Sequence, residues 1–169
     1  MNIFYLDEDV VLCARAHCDK HIVKMPLETA QLLCTARHVL GSAETPQYKS
    51  THLNHPCAVW VRQSYSHYTW LCSFGIALCE EYTFRYGKVH KCQAVIEKCA
   101  EDAPKIEKFE TYDPWKWTDP PQCMPEDYRQ KDTVSAYQEY YVAEKFDIAT
   151  WKPPRTEPVW WQCMVEDWQ

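Results

Sequence analysis

Glycine is scarce in this chain, at three of 169 residues. That disfavours architectures built on tight hairpins, and no glycine-rich phosphate-binding loop is present. No apolar run approaches the roughly 18 residues that span a membrane, so no membrane partner is expected. The opening MNIFYLDED lacks a basic region and a long apolar core, so no signal peptide is expected either, and a cytoplasmic protein is the reading. None of the ten cysteines forms a C-x-x-C pair, which removes the zinc-ribbon and thioredoxin signatures. Without a secretory signal these thiols are expected free and buried as small hydrophobes. An H-E-x-x-H motif, internal repeats and low-complexity tracts are also missing. So is a basic excess: 18 Lys and Arg face 24 Asp and Glu, for a net charge of −6. This argues against strong non-specific binding to DNA.

Aromatic residues are plentiful, with eight Trp and eleven Tyr. Long stretches carry helical periodicity, and alternating β-branched runs are few, which indicates an all-α fold. The expectation is a compact single-domain bundle of about four helices with a long irregular Pro- and Trp-rich C-terminal segment. Residues 1–169 are read as one domain. Within it, 1–100 form a helical core with the site, and 101–169 supply an acidic loop, a helix and an aromatic tail. The charge divides the same way. Residues 1–100 hold 10 Lys/Arg, 9 Asp/Glu and all seven His, whereas 101–169 hold 8 Lys/Arg and 15 Asp/Glu. Residues 3–6 read as an apolar tie-down onto the core, and Asp7 or Asp9 as a helix cap. Helices are expected over about 10–40 with a kink at Pro26, 57–86, 89–100 and 127–145. Gly41 and Gly87 read as helix ends. The tail from Trp151 is expected to pack back as a clasp.

One stretch concentrates the chemistry. Steps of four and three residues join His17, His21, Lys24, Glu28, Gln31, Thr35 and His38 into one polar stripe on a helix, with apolar residues between them. Its ordinary interpretation is a solvated helix face; the sharper one is the wall of a cleft. Further candidates are His52 and His55 in THLNHP, Arg62 beyond them, and Lys88, His90 and Lys91 after the second long helix. Together they would form a cation-rich site around one carboxylate, suited to a phosphate-bearing ligand. A carboxylate there can move protons or steady a cationic intermediate. His17 and His21 also have a zinc-compatible spacing, and Cys13 and Cys18 lie beside them. No metal and no cofactor is assigned.

The run DKHIVKMPLETAQL resembles the early helix of the phage-type pyrimidine-dimer DNA glycosylases, the dimer-specific endonuclease V family. Asp19, His21 and Glu28 match its D-x-H motif and its catalytic glutamate seven residues later. LNHPCAVWVR resembles the family's N-H-P segment, and EEYTFRYGK its later helix ending in a basic R-x-G turn. The resemblance covers roughly residues 1–91. The opening IFYLD with CDKH also resembles uncharacterised proteins of bacteriophages and large DNA viruses, which would place the protein in a host cytoplasm.

What the resemblance implies is an all-α enzyme of DNA repair with glycosylase and lyase chemistry. An amine attacks the sugar C1′, an imine forms, and elimination cuts the strand. Glu28 would then stabilise the imine or shuttle protons, and His21 would order the site. Lys20, Lys24 and Arg62 would hold substrate phosphates. Apart from the resemblance, His17, Gln31, His52, His55, Arg85, Lys88, His90 and Lys91 are the further candidates for binding substrate or phosphate. In the family the nucleophile is the α-amine exposed by loss of the initiator Met. Here Asn follows Met1, and its bulk favours retention, so the amine would be that of Met1. Free α-amines titrate near 7.7–8.0, about where a neutral fraction persists at physiological pH. Lys20 or Lys24 is the alternative amine. Where the family helix carries arginine beside its Glu, this chain has Leu27. Two other classes stay open: a protein that sequesters a phosphorylated nucleotide without turnover, and a metal-dependent hydrolase using His17 and His21. The sequence sets no oligomeric state.

Overall fold

The computed structural model describes residues 1–168, and among these are seven α-helices, three short 3₁₀ turns and no strand. They are α1 (Val10–Ala16), α2 (Asp19–Leu40), α3 (Pro56–Gln63), α4 (Tyr65–Tyr86), α5 (Gln93–Asp102), α6 (Thr133–Lys145) and α7 (Val159–Trp168). The all-α class is as expected. The count exceeds four chiefly because both long segments break.

The first break falls at His17 and Cys18, not at Pro26. His17 is extended (ψ 136°) and ends α1. The first amides of α2 find partners elsewhere in the molecule: Cys18 N–H donates to Tyr141 Oη (3.0 Å) and Asp19 N–H to the Thr150 carbonyl (2.8 Å). Tertiary acceptors thus replace the turn that a continuous helix would have supplied. Pro26 lies inside α2, where it cannot donate to the Ile22 carbonyl. The second break is at Ser64, which closes α3 and caps α4 by accepting from His67 N–H (3.1 Å). The third helix begins at Gln93 and the fourth at Thr133, each later than expected. The C-terminal segment is not irregular to its end, because α7 occupies it.

The expected caps are found. Asp9 accepts from Val11 and Leu12 N–H, and Gly41 and Gly87 follow α2 and α4 with positive φ. Eight of the ten cysteines are buried and all are free, consistent with thiols that serve as core packing.

Helix α4 touches α1, α2, α3 and α5, and α2 packs on α3, α4 and α5. Gly75 lets α4 pack tightly against α2 and α5. A Cβ there would lie 2.8 Å from Thr29 Cγ2 and 3.0 Å from Ile96 Cγ2. The acidic segment is fastened rather than loose. His67 Nδ1–H donates to the Trp60 carbonyl (2.8 Å), and its Nε2 accepts from Thr118 N–H (3.0 Å). The tail folds back as a clasp: Trp161 is buried, lies edge-on to Tyr141 and Trp151, and stacks on Phe146. No helix among the described residues is long and apolar enough to cross a membrane.

Candidate active site

The N-terminal strand of chain, though not β, is the element that builds the site. Ile3, Phe4, Tyr5 and Leu6 are all buried, at 6% exposure or less. Each such side chain contributes about 1.5–3 kcal/mol when removed from water, so four in a row anchor the segment firmly. Asn2 fixes its outer end. Its Nδ2 donates to the Cys123 carbonyl (3.0 Å), and its Oδ1 accepts from Tyr137 O–H (3.0 Å). The Met1 side chain is itself only 2% exposed.

This anchoring delivers the first backbone nitrogen to Glu28. The Met1 amine lies 3.8 Å from Glu28 Oε2, and the next amide, Asn2 N–H, donates to the same oxygen (3.1 Å). The other oxygen faces Lys24, whose Nζ is 3.4 Å away and whose side chain is 67% exposed. Glu28 is 12% exposed, so its carboxylate sits at the rim, reachable from solvent yet backed by protein. An amine, a carboxylate and a solvent-facing ammonium therefore meet at one edge of α2. By chemical type, an amine can act as a nucleophile, a carboxylate can carry a proton and an ammonium can attract a phosphate.

The other candidate residues divide into three groups. Near the amine is His55, which caps α3 by accepting from Cys57 N–H (3.1 Å). Burial first, then the Met1 amine and His52, hold its imidazole below the ordinary value, against an opposing pull from Glu28. His52 is exposed in the same loop, with φ +50°, and bonds to Thr51 Oγ1. Thr51 and Thr35 exchange hydrogen bonds, which lays this loop along α2. Gln31 is half-buried one turn beyond Glu28.

Lys20 and Lys24 are exposed on α2, and Lys88 and Lys91 are exposed in the turn after α4. His90 joins the two regions. Its Nδ1 accepts from Cys92 N–H, so Nε2–H donates to the Val23 carbonyl on α2 (2.9 Å). Four lysines thus lie on or beside the outer surface of α2.

The third group faces inward. His17 is fully buried, and His21 is 8% exposed. Burial pushes His17 down to about 3 and His21 to about 4, so both are neutral at physiological pH. His17 Nδ1 bonds the Cys13 carbonyl (2.7 Å), while its Nε2 is buried without a partner. His21 stacks on Phe4 (4.6 Å between ring centres) and accepts from Tyr141 O–H at Nδ1 (2.7 Å). It bears on the site through the segment that carries the amine. Arg62 donates to Glu110 (2.7 Å) and to the Leu53 carbonyl (2.7 Å). Arg85 has a fully buried side chain and binds Glu81, Asp19 and the Arg15 carbonyl. It locks the α1–α2 junction, and Asp19 of the D-x-H motif is its partner.

Sequence reasoning missed Asn2, Cys57, Cys123 and Tyr137. The Asn2–Tyr137 bond joins residues 135 positions apart. No local spacing signals such a contact.

A family model described as pyrimidine dimer DNA glycosylase matches residues 1–94. No curated protein and no solved structure matches the chain significantly.

Proposed function

Because this chain belongs to the pyrimidine dimer DNA glycosylase family, we propose that it excises damaged bases from DNA by an amine–imine mechanism and then cleaves the strand as a lyase. The observation that carries this reading is the position of the Met1 amine beside Glu28, 27 residues away in sequence.

The steps follow from that geometry. The amine lone pair attacks C1′ of the damaged nucleotide as the glycosidic C–N bond breaks, and the departing base takes a proton from water. Glu28 takes the proton that the amine gives up and passes it to the ring oxygen O4′. The C1′–O4′ bond breaks, the ring opens to a protonated imine, and the regenerated Glu28 carboxylate faces its positive charge. Removal of a C2′ proton then expels the 3′ phosphate, and hydrolysis of the imine restores the amine. Lys20, Lys24, Lys88 and Lys91 hold the flanking backbone, so a chain with net negative charge still presents a local cationic face to DNA. His21 positions the nucleophile by clamping Phe4.

Borohydride trapping on duplexes carrying a thymine dimer or an abasic site tests this. A covalent adduct mapping to Met1 is the expected result, with intact-mass analysis confirming that Met1 is the first residue. An adduct on Lys20 or Lys24 would reassign the nucleophile. The absence of both an adduct and a mobility shift at low salt would overturn the proposal.

A further inference from the structure

Behind the amine lies a donor set that the excision chemistry does not use. Among the described residues, one nitrogen of His55 and the sulfurs of Cys57 and Cys123 lie within 4.8 Å of one another. The two sulfurs are 3.6 Å apart. Two thiolates on a tetrahedral zinc, at metal–sulfur distances near 2.3 Å, sit about 3.8 Å apart, so the pair already has the spacing such an ion imposes. An imidazole and two thiolates are also the donors that soft or borderline divalent ions select.

We propose that His55, Cys57 and Cys123 bind a divalent cation of the zinc type next to the Met1 α-amine, and that the bound ion withdraws this amine from reaction. The consequence for repair rests on the reading of Met1 as the nucleophile; the site itself does not.

Three features favour a metal over a mere thiol pair. The first is the imidazole. Cys34 and Cys99 form another hydrogen-bonded thiol pair in the core, with Arg37 beside it, and among the described residues no histidine completes that group. Access is the second. Cys57 is buried, but His55 and Cys123 are half-exposed, which gives an ion a way in. The third is a fixed frame. Cys123 is held by Asn2 at its carbonyl and by Tyr137 at its amide, and Cys57 by the first turn of α3.

Binding forms two metal–thiolate bonds and releases the two thiol protons to solvent. A metal on Nδ1 of His55 takes the lone pair that caps α3 and leaves Nε2 protonated, as a neutral bound imidazole requires. A tetrahedral ion then has one position left, and the α-amine is the neighbouring donor that can fill it. Its lone pair, once on the metal, is no longer available to C1′.

The test uses the whole chain, metal-free and reduced with a phosphine. Cobalt(II) is the spectroscopic probe and zinc the competitor. One equivalent of cobalt is expected to give near-ultraviolet thiolate charge-transfer absorption with tetrahedral visible bands, bleached by zinc. Cys123→Ser is expected to abolish the charge transfer while keeping its circular dichroism, and His55→Gln to weaken affinity by more than about tenfold. Cys163→Ser, at the exposed cysteine, leaves the spectrum unchanged. In parallel, reductive methylation of Met1, read by peptide mass, is expected to fall in proportion to zinc occupancy, and to ignore zinc in Cys123→Ser. Absence of a one-equivalent site, or its survival in Cys123→Ser, overturns the site. Zinc binding with unchanged methylation overturns the gating. Failure of borohydride trapping on metal-free protein would refute the lyase reading alone, since spectra and methylation need no DNA.

Discussion

The two ends of the polar stripe on the first long segment have opposite fates. At one end His17 and His21 lie under Phe4, Phe74 and Tyr141, neutral and closed off from solvent. One or two turns further on, Lys24 and Glu28 stand at the rim with the amine. In sequence these residues share one period and one chemical class. In the molecule the helix breaks at His17–Cys18, and the buried N-terminal segment covers His17 and His21 through Phe4 while Lys24 and Glu28 stay at the edge. Periodicity shows which residues share a helix face, but not what the rest of the chain lays over that face.

The sharpest way to test the contrast is to remove one ionisable group from each end. Glu28→Gln is expected to lower turnover on damaged duplex by about 10²–10⁴-fold with little change in melting, as for loss of a positioned acid–base group. His21→Gln should cost mainly stability, with a smaller loss of rate through Phe4, since its neighbours are Phe4 and Tyr141; single-turnover kinetics and denaturant unfolding of both variants would separate the two effects. A result in which His21→Gln cost as much in rate as Glu28→Gln, at equal stability, would erase the distinction.

Truncating the covering ring is the next largest change. Phe4→Ala is expected to cost about 3–5 kcal/mol in unfolding free energy and to weaken imine trapping together with stability, because the same ring anchors the amine. Chemical denaturation and trapping on the same preparation would check it.

Acid acts on the buried end. Both histidines titrate lower in the folded chain than in the unfolded one, so unfolding takes up protons as pH falls. Their stabilising contribution is complete above the unfolded value near 6.5 and shrinks as pH drops towards 4 and then 3. In that window each contributes a slope of about 1.4 kcal/mol per pH unit, readable from unfolding curves between pH 7 and 5. The slope should diminish in His17→Phe or His21→Phe.

The smallest effect belongs to the wet end. Replacing Lys88 or Lys91 by Ala is expected to reduce the slope of log affinity for duplex against log salt by about 0.9 per lysine, with melting unchanged. Fluorescence anisotropy across a salt series would measure it.

Much of this was legible in the sequence. The caps at Asp9, Gly41 and Gly87 were, because each depends on the chemistry of one residue. So was the all-α class, from periodicity, and the Glu81–Arg85 pair, which lies four residues apart on one helix. The helix breaks were not, since the acceptors that end α1 and start α2 come from Tyr141 and Thr150. Nor was the inward turn of Arg62 and Arg85: a guanidinium looks the same in sequence whether it meets a phosphate or a buried carboxylate. The site was half visible. Glu28 stood out by motif and Lys24 by spacing, but the floor made by Asn2, Cys123 and Tyr137 depends on contacts across most of the chain.

Gly75 bears on the same edge from behind. It faces Thr29, the neighbour of Glu28, across a gap that has no room for a methyl group. The depth at which the carboxylate emerges is therefore calibrated by an atom that is missing, on a neighbouring helix. In a random mutagenesis screen scored on repair rather than on folding, Gly75→Ala is a hit that touches neither the nucleophile nor the lysines. Its lesson would be mechanical: a shim slipped between two helices moves the working face of one of them.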